Sequence, residues 1–427
     1  MTVSKLPHRP ESGNQQPLDL QSMVEGLRQS IKALEGKSQL RATAGYLELV
    51  AKSIEQAIHA KENGNFCAGH STQFPIEVFW PLGIMPLCNE LYGTIDGIFG
   101  DNRASQFLLV PDFVVYSSSA CDPARNGRDT AARAMGVPSF GLDRPCTIFT
   151  PQSIDYWLKE HLALIRFLEE QTGRRMDYDY LKEVAKLSCR ATKIYREINE
   201  LRGAVPCPLP AEAAFAPMAV YGAWAGTQAC VDYLEQLRDE LSERVARGIG
   251  ALPREKFRYT YATSPPAFDL GIMAEAERRY GAVNVMDHLQ WWRKDADWLI
   301  DPEDPVASIA YRVQFGPSNS LHGSAMDHAE EVRQAALKCQ ADGVVLFNNA
   351  GCPHAAGGYR ILKDTIERSL GLPWAAINCD MLDRSITSFG EVMDQLDIFF
   401  EAVETSGAYQ DRNRQRRLQS DERLGTA

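Results

Sequence analysis

Two cysteines of this sequence have closely similar surroundings that suit a reactive or metal-binding thiol. Cys121 lies in PDFVVYSSSACD and Cys352 lies in ADGVVLFNNAGCPH, so each follows a small residue and an apolar run that an aspartate opens. We expect each cysteine just before a helix, where unpaired backbone N–H groups and the helix dipole stabilise an anionic thiolate or cluster. A single loop cysteine is more often an inert buried thiol, but the matched surroundings favour a chemical role for this pair.

The segment around Cys352 predicts the elements that must position this thiol. Gly343–Asn348 is apolar and β-branched, residues 359–370 have apolar side chains at helical spacing, and Trp374–Cys379 is a second apolar run. This pattern predicts a strand, a tight loop, a helix and a second strand. The strands of such a βαβ unit are parallel, and open parallel sheets bind ligands where the carboxyl ends of strands meet the following loops. Cys352 is therefore expected at a ligand-binding edge.

An earlier part of the chain repeats this plan. Residues 111–143 contain an opening aspartate, an apolar run, Cys121, a helical segment, a Gly-Val-Pro stop and a short strand that closes on Asp143. Any two βαβ units share some of this order, so a chance similarity is the alternative. We interpret the repeat as an α/β fold with two similar Rossmann-like parallel-sheet lobes, each offering one cysteine from the same topological position.

Composition and charge exclude several classes of protein. The 427 residues are 44% hydrophobic and 24% charged, which is typical of a folded protein of two or three domains, and the formal net charge is −11. This charge argues against nucleic-acid binding, which needs a basic surface. The apolar runs fall short of the roughly 20 residues that cross a bilayer, and residues 1–17 are too polar for a signal peptide. We therefore expect a cytoplasmic protein without a membrane partner.

The ten cysteines are scattered along the chain and form no C-x-x-C pair. Zinc ribbons and the common ferredoxin spacings are thereby excluded, and a reducing compartment argues against a disulfide framework. Cysteines that share a metal centre must therefore come from distant loops. Cys88, in IMPLCNELYG, is the third candidate, and Cys339 is expected on the buried face of a helix with Val332 and Ala336.

Hydrophobic periodicity divides the chain into segments of different character. They are a disordered tail (1–21), a helical arm (22–65), a first α/β lobe (66–150), a helical segment that joins the lobes (151–250), a second α/β lobe (251–405) and an Arg-rich tail (406–427). The last segment contains five arginines and few apolar residues, so we expect it to be solvated.

From about Gln73 to Val403 the sequence resembles the subunits of 2-hydroxyacyl-CoA dehydratases and benzoyl-CoA reductases. The segments that carry the resemblance are PIEVFWPLGIMPL, PDFVVYSSSACD, DPEDPVASIAYRV, ADGVVLFNNAGCPH and INCDMLDR, in this order. ATSPPAFD and ACVDYLEQLRDELSERV resemble the larger subunit of the benzoyl-CoA-reductase type. The resemblance implies an enzyme subunit, either of a 2-hydroxyacyl-CoA dehydratase (a lyase) or of an aromatic acyl-CoA reductase (an oxidoreductase).

The resemblance also implies a [4Fe-4S] cluster in a cleft between the two lobes, held by three cysteines of one subunit. By position, these ligands are Cys88, Cys121 and Cys352. Cys67 is the alternative to Cys88, because this chain is shorter than members of the family after Leu87. Three thiolates leave one iron without a protein ligand, and that iron can act as a Lewis acid towards a substrate hydroxyl or thioester carbonyl.

The partners that the resemblance implies are an acyl-CoA thioester substrate, a second homologous subunit in a heterodimer and a separate ATP-dependent activator protein. The activator supplies a low-potential electron, which forms a ketyl radical on the thioester and permits loss of a 2-hydroxyl group or reduction of an aromatic ring. The chain has no G-x-x-x-x-G-K-[ST] motif, so we expect that it does not hydrolyse ATP itself.

Several polar residues are further candidates near the expected cleft. Ser318, Asn319 and Ser320 are expected to bind substrate, although helix capping and turn formation explain these residue types equally well. His354 and Ser318 are the candidates for a catalytic role. A solvent-facing loop histidine is the alternative for His354.

Two other functions stay open at this point. The chain can be a non-catalytic electron-transfer or partner subunit of the same complex, or a metal-free structural homologue whose cysteines are ordinary core residues. Iron and sulfide analysis separates the metal-free homologue from the other two. Turnover with and without the companion subunit separates those two from each other.

Overall fold

A computed structural model of the chain describes residues 20–34, 36, 38–60, 62–71, 74–88, 111–118, 122–145, 150–266, 271–287, 289–292, 301–316, 324–381, 383 and 385–425. Its helices are α1 (Leu20–Leu34), α2 (Ala42–Ile58), α3 (Asp122–Met135), α4 (Pro151–Thr172), α5 (Tyr178–Arg202), α6 (Ala216–Trp224), α7 (Gln228–Ala246), α8 (Gly271–Tyr280), α9 (Pro305–Phe315), α10 (Ala325–Lys338), α11 (Pro353–Leu370), α12 (Phe389–Thr405) and α13 (Gly407–Gly425). Its strands are β1 (Phe66–His70), β2 (Ile84–Cys88), β3 (Phe113–Ser117), β4 (Ser139–Leu142), β5 (Phe257–Ala262), β6 (Ala282–Asp287), β7 (Gly343–Asn349) and β8 (Trp374–Cys379).

The strands form two four-stranded sheets in which all neighbouring strands are parallel. The first sheet has the order β2-β1-β3-β4 and the second has the order β6-β5-β7-β8, so the two orders are equivalent. This confirms the prediction of an α/β fold with two similar lobes. In each lobe the second and third strands lie on opposite sides of the first. A topological switch point therefore lies between β1 and β3, and another between β5 and β7.

The aspartate that opens the third strand of each lobe forms the same contacts in both. The Asp112 amide donates to the Cys67 carbonyl at 2.8 Å, and its Oδ2 accepts from the Cys67 amide at 2.8 Å. In the second lobe the Asp342 amide donates to the Arg258 carbonyl at 2.6 Å, and Oδ2 accepts from the Arg258 amide at 2.9 Å. The repeat in the sequence is thus also a repeat of hydrogen bonds at the amino edge of each sheet.

Long helices fill the segment between the lobes, as predicted for residues 151–250. The side chains of Thr150 and Asp177 cap the first turns of α4 and α5. The Trp157 indole donates to the Ala310 carbonyl at 2.8 Å, which joins α4 to α9. Within the described ranges, no helix has both the length and the apolar character that a membrane-spanning segment requires.

The N-terminal helical arm packs on the body of the protein. Leu47, Val50 and Ile54 lie on one face of α2 and are buried. This helix contacts α6, α7 and β2. Glu240 of α7 accepts from the Arg41 guanidinium at 2.9 Å, just before α2 begins. The apolar face of α2 is therefore covered by the chain itself.

The C-terminal segment differs from the solvated tail that its composition predicts. It forms α13, and Arg412 and Arg416 donate to the buried Asp342 carboxylate at distances of 3.0–3.1 Å. The prediction is wrong for these two arginines. A buried carboxylate needs charged or hydrogen-bonded partners, and the helix supplies them from a segment whose local composition gives no sign of the contact.

Candidate metal centre

Cys88 is the last residue of β2 and lies at the carboxyl edge of the first sheet. It is in register with His70, the last residue of β1. The cysteine is 2% exposed. Its thiol therefore lies, shielded from water, at the edge where open parallel sheets bind ligands.

Cys352 is the residue before α11 and lies three residues beyond the end of β7. Its amide donates to the Asn349 carbonyl at 2.9 Å, and its carbonyl accepts from the Ala356 amide at 3.2 Å. The residue is half-buried, and within the described part of the chain its thiol forms no capping hydrogen bond to α11. Cys352 is thus the N-cap residue of α11, at the positive end of the helix dipole.

Cys121 belongs to the equivalent loop of the first lobe. β3 ends at Ser117 and α3 begins at Asp122, just as Cys352 falls between β7 and α11. Both loops follow the strand on one side of a topological switch point. Cys121 itself lies outside the described residues, so its grouping with Cys88 and Cys352 stays a prediction.

The donor set suits an iron–sulfur cluster in its chemistry, because thiolates are the soft ligands that hold such clusters. Among the described residues, no group of three or more Cys, His, Asp or Glu side chains is placed to hold a metal ion. A centre at Cys88 or Cys352 therefore needs a ligand from the remaining residues. Strands β2 and β3 flank β1, which puts their carboxyl ends about 10 Å apart.

Cys67, the alternative to Cys88, lies in the amino half of β1 and is in register with Met85. It is buried in a small apolar cluster with Ala57, Ala60 and Leu87. Three strand residues, or about 10 Å, separate it from the carboxyl edge. This position suits packing, and the geometry favours Cys88 over Cys67 as a ligand at that edge.

The other described cysteines lie in environments that keep their thiols protonated. Burial raises the pKa of Cys189 and Cys207 to about 11 and that of Cys379 to about 12. Burial also raises the pKa of Cys230 and of Cys339. Cys339, the residue after α10, is buried, as are Val332 and Ala336 of that helix, so its predicted burial is confirmed and its packing role stays a prediction.

His354 is in the first turn of α11, two residues after Cys352. Its ring centroid lies 5.8 Å from that of His328 in α10. Burial lowers the pKa of His354 and lowers that of His328 to about 3, so both rings are neutral near pH 7. The His354 Nε2 atom is buried and has no partner among the described residues. A neutral imidazole in this position can donate or accept one hydrogen bond without adding charge.

Helix α9 joins the carboxyl edge of the first sheet to the segment that contains the predicted substrate-binding residues. The Arg144 guanidinium, just after β4, donates to the Gln314 side chain at 2.9 Å and to its carbonyl at 3.3 Å. Arg312 binds the buried Glu77 carboxylate at 2.5 and 2.7 Å. Sequence reasoning missed these contacts, because nothing local marks residues so far apart in the chain. Residues 317–323, which include Ser318, Asn319 and Ser320, lie outside the described residues, so their role stays a prediction.

The aspartates that close the two repeats accept hydrogen bonds at the carboxyl edges. Asp143 accepts from the Ser118 hydroxyl at 2.8 Å and from the Tyr156 hydroxyl at 2.9 Å. The bond to this carboxylate raises the pKa of Tyr156 to about 12. Asp380 accepts from the Asp383 amide at 2.9 Å. These contacts hold loops in place next to the cysteine-bearing segments.

Comparison with known proteins agrees with the resemblance seen in the sequence. The family model for 2-hydroxyglutaryl-CoA dehydratase, D-component, matches residues 81–403. One of the subunits of the benzoyl-CoA reductase of Thauera aromatica is 26% identical over 314 residues, which cover 70% of this chain and 71% of that protein.

Two dehydratase subunits are also similar to this chain. The (R)-2-hydroxyisocaproyl-CoA dehydratase alpha subunit of Clostridioides difficile is 22% identical over 378 residues, covering 79% of this chain and 90% of that protein. The (R)-phenyllactyl-CoA dehydratase alpha subunit of Clostridium sporogenes is 25% identical over 252 residues, covering 51% of this chain and 60% of that protein. The similarity therefore extends to both reaction types that the sequence left open.

Proposed function

The chain belongs to the 2-hydroxyglutaryl-CoA dehydratase, D-component, family, and from this premise we propose that it is the iron–sulfur subunit of an enzyme that acts on acyl-CoA thioesters. The proteins that are similar to this chain are named as components of 2-hydroxyacyl-CoA dehydratases and of a benzoyl-CoA reductase. The proposed reaction is accordingly dehydration of a 2-hydroxyacyl-CoA or reduction of an aromatic acyl-CoA.

One observation carries this proposal: the loops of Cys121 and Cys352 follow equivalent strands in two sheets of equivalent order. A cysteine that only fills a core has no reason to recur at a carboxyl edge next to a switch point. Ligands of open parallel sheets bind at that position. Cys88 adds a third thiol at a carboxyl edge of the first lobe.

Cys88, Cys121 and Cys352 would hold a [4Fe-4S] cluster. When bound, such a cluster supplies a Lewis-acidic iron and the low-potential electron that would form a ketyl radical on the thioester carbonyl. The burial of Cys88 keeps water from its sulfur, and the first turn of α11 offers backbone N–H groups to negative charge at Cys352. His354, in the first turn of α11, would donate or accept one hydrogen bond to a group bound beside Cys352.

The proposal includes two protein partners. The proteins similar to this chain are named as subunits of larger enzymes, which supports a second homologous subunit in a heterodimer. A separate ATP-dependent activator protein would supply the electron, since this chain has no phosphate-binding motif of the P-loop type.

Iron and acid-labile sulfide analysis of the anaerobically purified protein tests the proposal. We expect about four of each per chain in the wild type, as one cubane cluster requires. Cys88→Ser, Cys121→Ser and Cys352→Ser should each lose the cluster absorbance. Cys339→Ser is the matched control, because that cysteine is as buried as Cys88 and lies just before the amino end of β7, and it should keep the wild-type iron content.

Two outcomes would contradict the proposal. A wild-type protein that contains no iron after anaerobic purification and reconstitution would leave the metal-free homologue as the better interpretation. Equal loss of iron in Cys339→Ser and in the three ligand variants would show that the loss reflects damage to the fold. Turnover of an acyl-CoA with and without the companion subunit then separates a catalytic subunit from an electron-transfer subunit.

A further inference from the structure

Asn349, the last residue of β7, connects three segments at the carboxyl edge of the second sheet. Its Nδ2 donates to the Ser264 carbonyl at 2.8 Å, and its Oδ1 accepts from the Cys379 thiol at 3.5 Å. Its own carbonyl accepts from the Cys352 amide at 2.9 Å. The side chain is largely removed from solvent, since the residue is 7% exposed. One residue thus contacts the loop after β5, the end of β8 and the turn that carries Cys352.

These contacts continue the sheet beyond its backbone ladder. The β5–β7 pairing ends at Ala262 and Leu346, so the bond from Asn349 to Ser264 spans the switch point where the ladder has already stopped. The Ser264 carbonyl is an acceptor only, which fixes the amide nitrogen of Asn349 on that side and leaves Oδ1 facing the Cys379 thiol. The amide therefore has one orientation that satisfies both neighbours.

The loop that Asn349 holds is strained. Thr263 has φ +64°, a left-handed conformation that is unfavourable for a β-branched residue, and it is buried. Its hydroxyl donates to the Phe347 carbonyl. Such strain persists only where surrounding contacts enforce it, and it concentrates at functional sites. The hydrogen bonds of Asn349 and Thr263 tie this loop to β7.

We propose that Asn349 is a positioning residue that fixes the turn of Cys352 against the 263–266 loop and β8, so that the Cys352 thiol is presented in one orientation. The purpose of this positioning rests on the proposed function, because a cluster ligand must meet its iron in a defined geometry. The contacts of Asn349 do not depend on the cluster. The positioning can therefore be measured in the cluster-free protein.

The test measures the rate at which iodoacetamide alkylates Cys352 in the cluster-free protein, by peptide mass spectrometry. Asn349→Ala frees the turn, so we expect alkylation of Cys352 to be at least several-fold faster than in the wild type. Asn348→Ala is the matched control. Asn348 is the adjacent asparagine of β7, and its amide donates to Asn378 at 2.7 Å on the exposed side of the strand. The control should alkylate at the wild-type rate.

A second pair of variants keeps the test decisive if Asn349→Ala does not fold, which a urea unfolding curve detects. Cys379→Ala removes one donor to Asn349 and should speed alkylation of Cys352, while Cys379→Ser retains a donor and should restore the wild-type rate. If Asn349→Ala folds and Cys352 is alkylated in it no faster than in the wild type, the positioning role is overturned. If Asn349→Ala does not fold, the same result in Cys379→Ala overturns it.

The cluster provides an independent readout. In iron-loaded protein, Asn349→Ala should lose iron to a chelator several-fold faster than the wild type and show altered g values in the reduced state, while Asn348→Ala should match the wild type. Wild-type protein without iron would contradict the proposed function, and the alkylation rates would still decide the role of Asn349. Loaded variants with identical spectra and rates would contradict the positioning role alone.

Discussion

Asp342 shows how a single buried carboxylate organises the second lobe. It accepts from the Arg258 amide at 2.9 Å and from the Arg412 and Arg416 side chains at 3.0–3.1 Å. The carboxylate has no exposed surface, so these partners must offset the cost of removing its charge from water. They also attach α13 to the amino edge of β7.

We predict that Asp342→Asn lowers the free energy of unfolding by about 3 kcal/mol, because it leaves two partly buried guanidinium groups without a counter-charge. Urea denaturation measures the change. Asp364→Asn is the control: Asp364 pairs with Arg360 at 2.9 Å on the exposed side of α11, and its loss should change little. Equal effects of the two substitutions would show that α13 is not held by Asp342.

Glu277 of α8 makes stability depend on pH. Burial raises the pKa of this carboxyl from 4.5 to about 7, and its oxygen accepts from the Ala211 amide at 2.9 Å. Because the folded protein binds this proton more tightly than the unfolded chain, the stabilisation is fully present below pH 4.5 and is lost as the pH rises through about 7. The charged form therefore destabilises the fold above neutrality.

We predict that Glu277→Gln is more stable than the wild type at pH 8 by on the order of 1 kcal/mol, and that the difference disappears towards pH 4.5. Glutamine keeps the acceptor for Ala211 and removes only the charge. Glu275 on the same helix is the contrast, since hydrogen bonds from Arg278 lower the pKa of Glu275, so Glu275→Gln should bring no gain at pH 8. A pH-independent difference for Glu277→Gln would refute this account.

At the scale of elements, α9 connects the first lobe to the rest of the molecule. Arg312 binds Glu77, which lies in the short helical turn Ile76–Val78, and the Ser188 hydroxyl of α5 donates to the same carboxylate at 2.6 Å. Arg144 reaches the end of α9 through Gln314. The helix is thereby joined to the first lobe at two places by buried polar contacts.

We predict that Glu77→Leu and Arg312→Leu each destabilise the protein by about 3 kcal/mol or more, since each leaves an uncompensated buried charge. The double variant should lose less than either single variant, because both charges are then absent. A double-mutant cycle by urea denaturation gives the coupling. Additive losses would mean that the two residues do not act as a pair.

The elements of the two lobes could be predicted from the sequence, because each depends on local pattern. The predicted strand Trp374–Cys379 coincides with β8, and the predicted strand Gly343–Asn348 differs from β7 by one residue. The contacts between elements could not be predicted. Arg144 with Gln314, and Asn349 with Ser264, are pairs far apart in the chain, and no local signal identifies them. The same reason explains why Arg412 and Arg416 were expected in solvent.

The candidate site was predictable to the extent that it repeats. Cys121 and Cys352 stand out because the two halves of the sequence share one order of residue types, and the equivalent sheet orders show that this order reflects a shared topology. Cys88 has no such counterpart: β6, which is equivalent to β2, ends at Asp287, and that carboxylate pairs with the buried Arg202 at 3.3 Å. The position equivalent to Cys88 in the second lobe is therefore occupied by Asp287, and this position supplies no further cysteine ligand.

At the scale of the whole molecule, two parallel sheets of equivalent order each direct a cysteine-bearing loop to a carboxyl edge. The central claim is that thiols from both lobes meet at one iron–sulfur cluster. X-ray diffraction from anaerobically grown crystals at the iron absorption edge tests it most directly. We predict one peak of anomalous density from an iron cluster, within bonding distance of the sulfur atoms of Cys88, Cys121 and Cys352. Three separated thiols without anomalous density between them would contradict the claim.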